Sequence, residues 1–493
     1  MKLFFCNAAF VDLGQINLYA ICLKLILTYE LVYGFRDRFD RIDRIDQIEK
    51  IIFLNKERFL KVNYLSKVLI ATMALGVTGG TMAASEAEID AFMNPYAKGF
   101  PSAPGVKEGV VIDKNNADQF KSVLTPRIYD QIKAGNTTIN IGKQLSASAP
   151  AAYVAASKKS EASTKVEFGK GKITGYQGGL PFPYEPSASD PNAGEKLAWN
   201  VRYGLEIPDD IAIGPFVWEY RDANTGKINR TVDMDPSYIS NTGFRTMNKP
   251  QHMPGSEEFF NLDLITVKSP QDLYGTALLF KRRVDSSRDD DGQLYLGFQR
   301  RARRLSTSAT TDPFLGSNFM IEEFRGFNGK LSDFNWKYVG TKNLLTAYYT
   351  HKDAKLRDDY KTNDWRFASF KGKGQCWADV PWSLRKTYII EATPKRPDHP
   401  VLKRTMYIDA ESFHVAITEI YDRKNEFWKL LVQGIGHPSG QLPAVAKKNV
   451  WTWDADSMID VQANQCTTLN FRIKSLETVP ANFYTLEYIR SRQ

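Results

Sequence analysis

The chain has 493 residues, 43% of them hydrophobic and 12% aromatic, with 65 Lys and Arg against 56 Asp and Glu. A net charge of +9 is too mild at this length to argue for a nucleic-acid partner. The length admits one large β domain or two ordinary ones.

A basic start at Lys61 and Lys67 leads into the apolar run Val68 to Val77 and then a stretch of small residues to Ala84. That is the three-part build of a secretory signal peptide. The apolar run is far shorter than the about 20 residues that a membrane-spanning helix needs. Small residues Thr81 and Ala83 suit cleavage after Ala83, so residues 61–83 are expected to be removed and the mature chain to start at Ala84. No Cys follows the run at a cleavage position, so a soluble periplasmic product is expected. Residues 1–60, with the repetitive tract Arg36 to Asp46, read as a mis-extended gene start. The alternative is a genuine extension whose apolar segment, Leu18 to Val32, is interrupted by Lys24 and Glu30.

Export removes Cys6 and Cys22 and leaves Cys376 and Cys466. An oxidising compartment permits a disulfide between them, while the sequence leaves open whether their Cα atoms come within reach.

Residues 84–206 read as a helical and linker region. Ser85 is an N-cap for a short helix carrying Ile89, Phe92 and Met93. Thr125-Pro126 starts a second, with Ile128 and Ile132 on one face and Gly135 as the C-cap. Ser146 to Thr164, rich in Ala and Ser, reads as a linker. A third helix is expected from Asp190-Pro191 to Tyr203, carrying Leu197 and Trp199.

Residues 207–493 change to short alternating runs separated by turn residues, the pattern of an antiparallel meander. Phe216 to Arg221 and Ile228 to Val232 flank Asn224-Thr-Gly226. Ala277 to Val284 and Leu294 to Leu305 flank Asp289-Asp-Asp-Gly292. Met406 to Asp409, Val415 to Tyr421 and Phe427 to Ile435 follow in series. Strands such as Tyr388 to Ala392 carry bulky residues on both faces, which predicts a sheet partly covered on both sides. The expected fold is mainly β with a few helices, a large antiparallel curved sheet or incomplete β-barrel closed by helices.

With Asp291-Gly292 as the turn, Arg283 would face Arg300 and Arg282 would face Arg301, with Arg303 and Arg304 next to them. Like charges opposite one another destabilise a sheet pair, so an acidic partner is expected. It is either an internal carboxylate such as Glu322 or Glu323, or a phosphate or carboxylate of a ligand held by guanidinium groups.

Gly175 to Pro183 (GYQGGLPFP) and Ala193 to Asn200 (AGEKLAWN) resemble a Gram-negative family of unknown function, domain family thirteen twenty-nine. Arg385 to Thr393, His399 to Asp409 and Tyr421 to Trp428 are similar to its C-terminal blocks. That family resembles the outer-membrane lipoprotein-sorting proteins and the carriers LolA and LolB, whose fold is an incomplete β-barrel closed by helices around an apolar cavity. The resemblance implies a carrier for a lipid, a lipoprotein acyl chain or another apolar or acidic lipid-like ligand. It also suggests as partners an inner-membrane transporter of the resistance-nodulation-division class or an outer-membrane protein. It transfers no ligand-contact residue, and the anchoring Cys of LolB has no counterpart here.

Catalytic motifs are missing: there is no His-Glu-x-x-His, no Gly-x-Ser-x-Gly and no phosphate loop. His252, His351, His399, His414 and His437 lack ligand spacing and read as loop or surface residues, so neither metal nor cofactor is expected. Ser287 to Phe298 imitates a calcium loop at Asp289, Asp291 and Gly292 but ends in Phe298 where a bidentate Glu is required. The alternatives to a carrier are a periplasmic hydrolase with a dispersed site and an envelope scaffold without a small ligand.

Overall fold

A computed structural model describes residues 84–206, 209–305 and 310–492. The signal-peptide segment and its cleavage position lie outside the described residues.

Local signals set the N-terminal helices. In α1 (Glu86–Met93), the Ser85 hydroxyl accepts from Glu88 N while the Glu88 carboxylate accepts from Ser85 N, a complete capping box. Its buried face is Ile89, Phe92 and Met93. Thr125 caps α2 (Pro126–Lys133), which buries Ile128 and Ile132, and Gly135 follows at φ +74°, a conformation that favours glycine.

Ser146 to Thr164 is not the expected linker, because Ala151–Ser163 forms helix α3. Alanine favours helix, and tertiary contacts supply what weak apolar periodicity does not. Ser157 Oγ accepts from Leu180 N at 2.8 Å, and Ser160 Oγ donates to Gly178 O at 2.6 Å. These bonds dock the GYQGGLPFP loop, and a Cβ at Gly179 would lie 2.3 Å from Ser157 Oγ. Asn200 of α4 (Ala193–Arg202) holds the loop from the other side, binding both N and O of Phe182.

The sheet is a meander that begins in its own middle. From β1 (Asp210–Asp222) the chain moves outward through β2 (Ile228–Asn241), β3 (Phe259–Ser269), β4 (Ala277–Arg283), β5 (Asp291–Leu296) and β6 (Arg301–Arg304) to one edge. A strap, residues 310–333, carries the chain to the other side. There β7 (Phe334–Thr346) pairs with β8 (Pro381–Pro394). The chain then returns through β9 (Val401–Asp409), β10 (Val415–Asp422), β11 (Phe427–Gly436), β12 (Thr452–Asp460) and β13 (Gln465–Ser475). β13 pairs antiparallel with β1, closing the seam between the two halves. The two-residue strand Tyr348–Tyr349, parallel to β11, and Ile139–Ile141, parallel to β8, make the sheet mixed. The sheet does not close into a barrel. The described residues belong to one compact unit, Ala83–Gln493. Among them, no helix is long and apolar enough to cross a membrane.

Alternation along the strands decides what each face does. On β3 and β4, Ile265, Leu278 and Phe280 face the strap side. Leu264, Ala277 and Leu279 join a second apolar cluster with Val479, Tyr484 and Ile489 of the C-terminal segment. Coverage of both faces is thus real for these strands.

The Asp-rich hairpin departs from its expected register. Lys281 pairs with Asp291 and Phe280 with Gly292, so Arg283 does not face Arg300. Gly292 sits inside β5 because a Cβ there would lie 2.8 Å from the Phe280 ring. The turn falls earlier, and Asp290 folds back to accept from Arg283 N and Arg282 Nε. Arg300, at φ 53°, breaks the strand after Leu296, so Arg301–Arg304 is a separate edge strand paired with Gln293–Leu296.

Candidate functional site

Between the sheet and the strap lies an apolar cavity of about 60 Å³. Its floor comes from alternate residues of strands in both halves of the meander, including Phe216 and Trp218 of β1 and Leu469 and Phe471 of β13. Its roof is the strap. Phe314, Phe319 and Phe324 surround the Trp218 indole at centroid distances of 5.9, 5.2 and 5.8 Å.

The strap is built to be held by side chains rather than by a ladder. It consists of short 3-10 turns, Phe314–Gly316, Ile321–Gly326 and Leu331–Asp333. Gly326 must be glycine, at φ 83° with a Cβ that would lie 2.4 Å from Val415 Cβ. Glu322 accepts from Arg404 Nη2 at 2.5 Å and lies 3.0 Å from His399 Nε2. Glu323 lies 3.5 Å from Lys429 Nζ. These carboxylates therefore serve β9, the segment before it and β11, not the arginine cluster suggested from sequence.

A few polar groups interrupt the cavity wall. Asp456 accepts from Gln433 Nε2 at 3.2 Å and Gly434 N at 3.1 Å, yet burial pushes its pKa up to about 8. Its neutral form is therefore favoured, which suits an apolar occupant. Asp263, whose pKa burial also raises, lies 3.8 Å from Arg325.

The six arginines singled out from sequence separate into three environments. Arg282 shares a face with Leu278 and Phe280 and is buried, bonded to Asp290 and to Asn328 of the strap. Arg283 points the other way and pairs with Glu258. Arg300, Arg301, Arg303 and Arg304 are exposed at the sheet edge, and no carboxylate among the described residues lies within 4.0 Å of them. With Arg283 and Arg490, all of these except Arg303 line an open groove.

Cys376 and Cys466 are joined, their Cα atoms 5.9 Å apart, which ties the turn before Trp377 to β13. The calcium-like loop spends its carboxylates on cations, Asp289 on Lys330 and Asp290 on Arg282. Three histidines depart from a loop-or-surface reading, because His351, His399 and His414 are buried. His351 pairs with Asp454 at 2.8 Å. Neither ring nitrogen of His414 has a partner, and burial lowers its pKa to about 3. Among the described residues, no group of three or more His, Cys, Asp or Glu is placed to hold a metal ion.

Sequence reading missed the strap and its staples. The residues it matched to family blocks hold the architecture instead. Arg385 makes a two-bond contact with Asp409 at 2.7 and 3.0 Å and reaches Glu411 at 3.0 Å. The only available signal was a set of charged residues inside strongly apolar strands, where burial demands a partner.

An uncharacterized protein of Pseudomonas aeruginosa is 24% identical over 367 residues, 71% of this chain and 73% of that one. A solved DUF1329 family protein from Desulfovibrio piger is similar at 17% identity and a TM-score of 0.41, over 61% of this chain and all of its own. A putative outer membrane lipoprotein-sorting protein domain from Vibrio parahaemolyticus is similar at 18% identity and a TM-score of 0.38, over 59% of this chain and 100% of that domain. A LolA superfamily protein from Nitrosomonas europaea gives 11% and 0.35, over 60% of this chain and 98% of that one. The family model described as "Protein of unknown function (DUF1329)" matches residues 111–490. With most of its length inside that match, the chain belongs to the DUF1329 family.

Proposed function

We propose that the protein is a periplasmic carrier that holds an apolar chain, such as an acyl chain of a lipid or lipoprotein, between its sheet and the strap. The observation that carries this reading is a predominantly apolar lining drawn from both halves of the meander under a cover made of side-chain contacts. The cavity is smaller than the about 150 Å³ apolar cavity that takes up benzene, so loading requires the strap to lift. Burial of about 14 methylenes contributes on the order of 10 kcal/mol before immobilisation costs, which leaves room for both capture and release. An inner-membrane transporter of the resistance-nodulation-division class and an outer-membrane protein are the proposed partners, on the family resemblance alone.

Protein purified from the periplasm without detergent is expected to carry extractable lipid visible in native mass spectrometry. Leu278→Trp, which fills the cavity side of β4, is expected to weaken fatty-acid uptake at least about tenfold. Leu279→Trp, on the opposite face, should cost a similar about 1–3 kcal/mol of overpacking without that loss. Absence of bound lipid together with absence of uptake would overturn the carrier reading in favour of a scaffold.

The exposed edge arginines are proposed to attract acidic ligands from solution. Arg301→Gln with Arg303→Gln is expected to slow capture of an anionic lipid by several-fold at low salt, with the difference vanishing at about 1 M salt. Melting temperature should not move, since both side chains are solvated. A salt-independent rate or a marked loss of stability would rule this role out.

A further inference from the structure

Beside the apolar cavity lies a more polar one of about 30 Å³ that shares Arg325 and Asn328 with it. Three guanidinium groups converge there from three elements: Arg202 from α4, Arg282 from β4 and Arg325 from the strap. Two have carboxylate neighbours, since Arg282 Nε lies 2.9 Å from Asp290 and Arg325 Nη2 lies 3.8 Å from Asp263.

Arg202 differs. It donates to Ser286 Oγ at 2.8 Å and to Gly329 O at 3.3 Å, and its guanidinium sits 4.6 Å from the Phe260 ring centre and 5.1 Å from that of Trp199. Among the described residues, no carboxylate comes within 4.0 Å of it. Glu206, the one acid among the described residues of this lining, accepts from Trp453 Nε1 at 3.1 Å, and burial raises its pKa to about 8, which favours its neutral form. Cations in the pocket therefore outnumber anions. This half-buried guanidinium lies against two aromatic rings without a counter-ion, and an oxyanion can meet its fork with two parallel bonds.

We propose that the two cavities form one amphiphile site, in which Arg202 and Arg325 take a free acidic head, a carboxylate or phosphate monoester, while the apolar cavity takes its tail. This rests on the carrier reading and narrows it, because an amide- or ester-linked acyl chain would leave Arg202 without its anion. Asn328 and Gly329 belong to the strap together with Arg325, so one lifting motion widens head and tail compartments together.

The test compares three probes of equal tail length on the full chain, below their micellar concentrations: palmitate, hexadecyl phosphate and hexadecanol. The wild type is expected to bind at least one acid about tenfold or more tightly than the alcohol, the scale of a charge-assisted bond. The preferred acid identifies the head. Arg202→Gln is expected to lose that preference while its affinity for hexadecanol stays within about twofold, and Arg202→Lys should recover part of it. If Arg202→Gln does not fold, Ser286→Ala, which releases the guanidinium from its hydroxyl, should lower the acid preference in the same direction. Equal binding of all three probes by the wild type, or an unchanged preference in a folded Arg202 variant, overturns the acidic-head site and leaves the carrier reading intact. Binding of none of them overturns the carrier reading, and the head site with it.

Discussion

Glu322→Ala is expected to lower the unfolding free energy by about 3–5 kcal/mol, the range for a buried charge stripped of its partner. Arg404 is fully buried on β9, and its Nε and Nη1 have no hydrogen-bond partner, so Glu322 is the anion that compensates it. Burial raises the Glu322 pKa, but Arg404 and His399 more than offset this and hold it below its ordinary value. A carboxyl lowered on folding contributes stability that is present above its unfolded pKa of about 4.3 and is lost as pH falls through the folded value. Urea unfolding of wild type and variant should thus differ most near neutral pH and converge in acid. Because the pair joins strap to sheet, Glu322→Ala should also speed ligand release. A stability loss under about 1 kcal/mol would mean that the strap is held elsewhere.

Asp456→Asn is expected to do the opposite and stabilise the protein by on the order of 3 kcal/mol at pH 7. The Asp456 pKa of about 8 lies far above the ordinary carboxyl value of 3.8 because the side chain is buried. The folded state therefore keeps a proton that the unfolded state releases, and this residue's contribution falls as pH rises from about 4 toward 8 and then levels off. The amide has no such slope. Gln433 Oε1 has no partner and can accept from the new amide after a flip of its own. Unfolding at pH 5 and pH 8 is the measurement, and a variant less stable than wild type at pH 8 would show that the carboxyl is needed as an anion.

The contrast between these two acids shows where sequence information ran out. From sequence, Glu322 is one of two internal carboxylates offered as partners for the arginine cluster, on the sound premise that a basic strand pair needs anions. The premise failed at the register, which depends on Gly292 packing against Phe280 rather than turning. Asp456 raised no signal, because an Asp inside Thr452–Asp460 looks like the polar half of an alternating strand. Its burial follows from the strap lying over that face, and the strap has neither helical nor strand periodicity.

What the sequence determined by itself is what short-range physics controls. The capping box at Ser85 and Glu88, the Thr125-Pro126 start, the Asn224-to-Gly226 hairpin and the β9–β11 series each involve neighbours in the chain, so local backbone preferences decide them. The resemblance blocks likewise identified the family. Only the tertiary structure decided that Ala151–Ser163 is a helix, that the six arginines serve three environments, and that β13 returns to pair with β1. Each of these turns on contacts between residues far apart in the chain, as with Ser157 and Leu180, Arg282 and Asn328, or Phe216 and Phe471. The cavity belongs to the same class, since no single segment lines it, and it exists only where both halves of the meander meet beneath the strap.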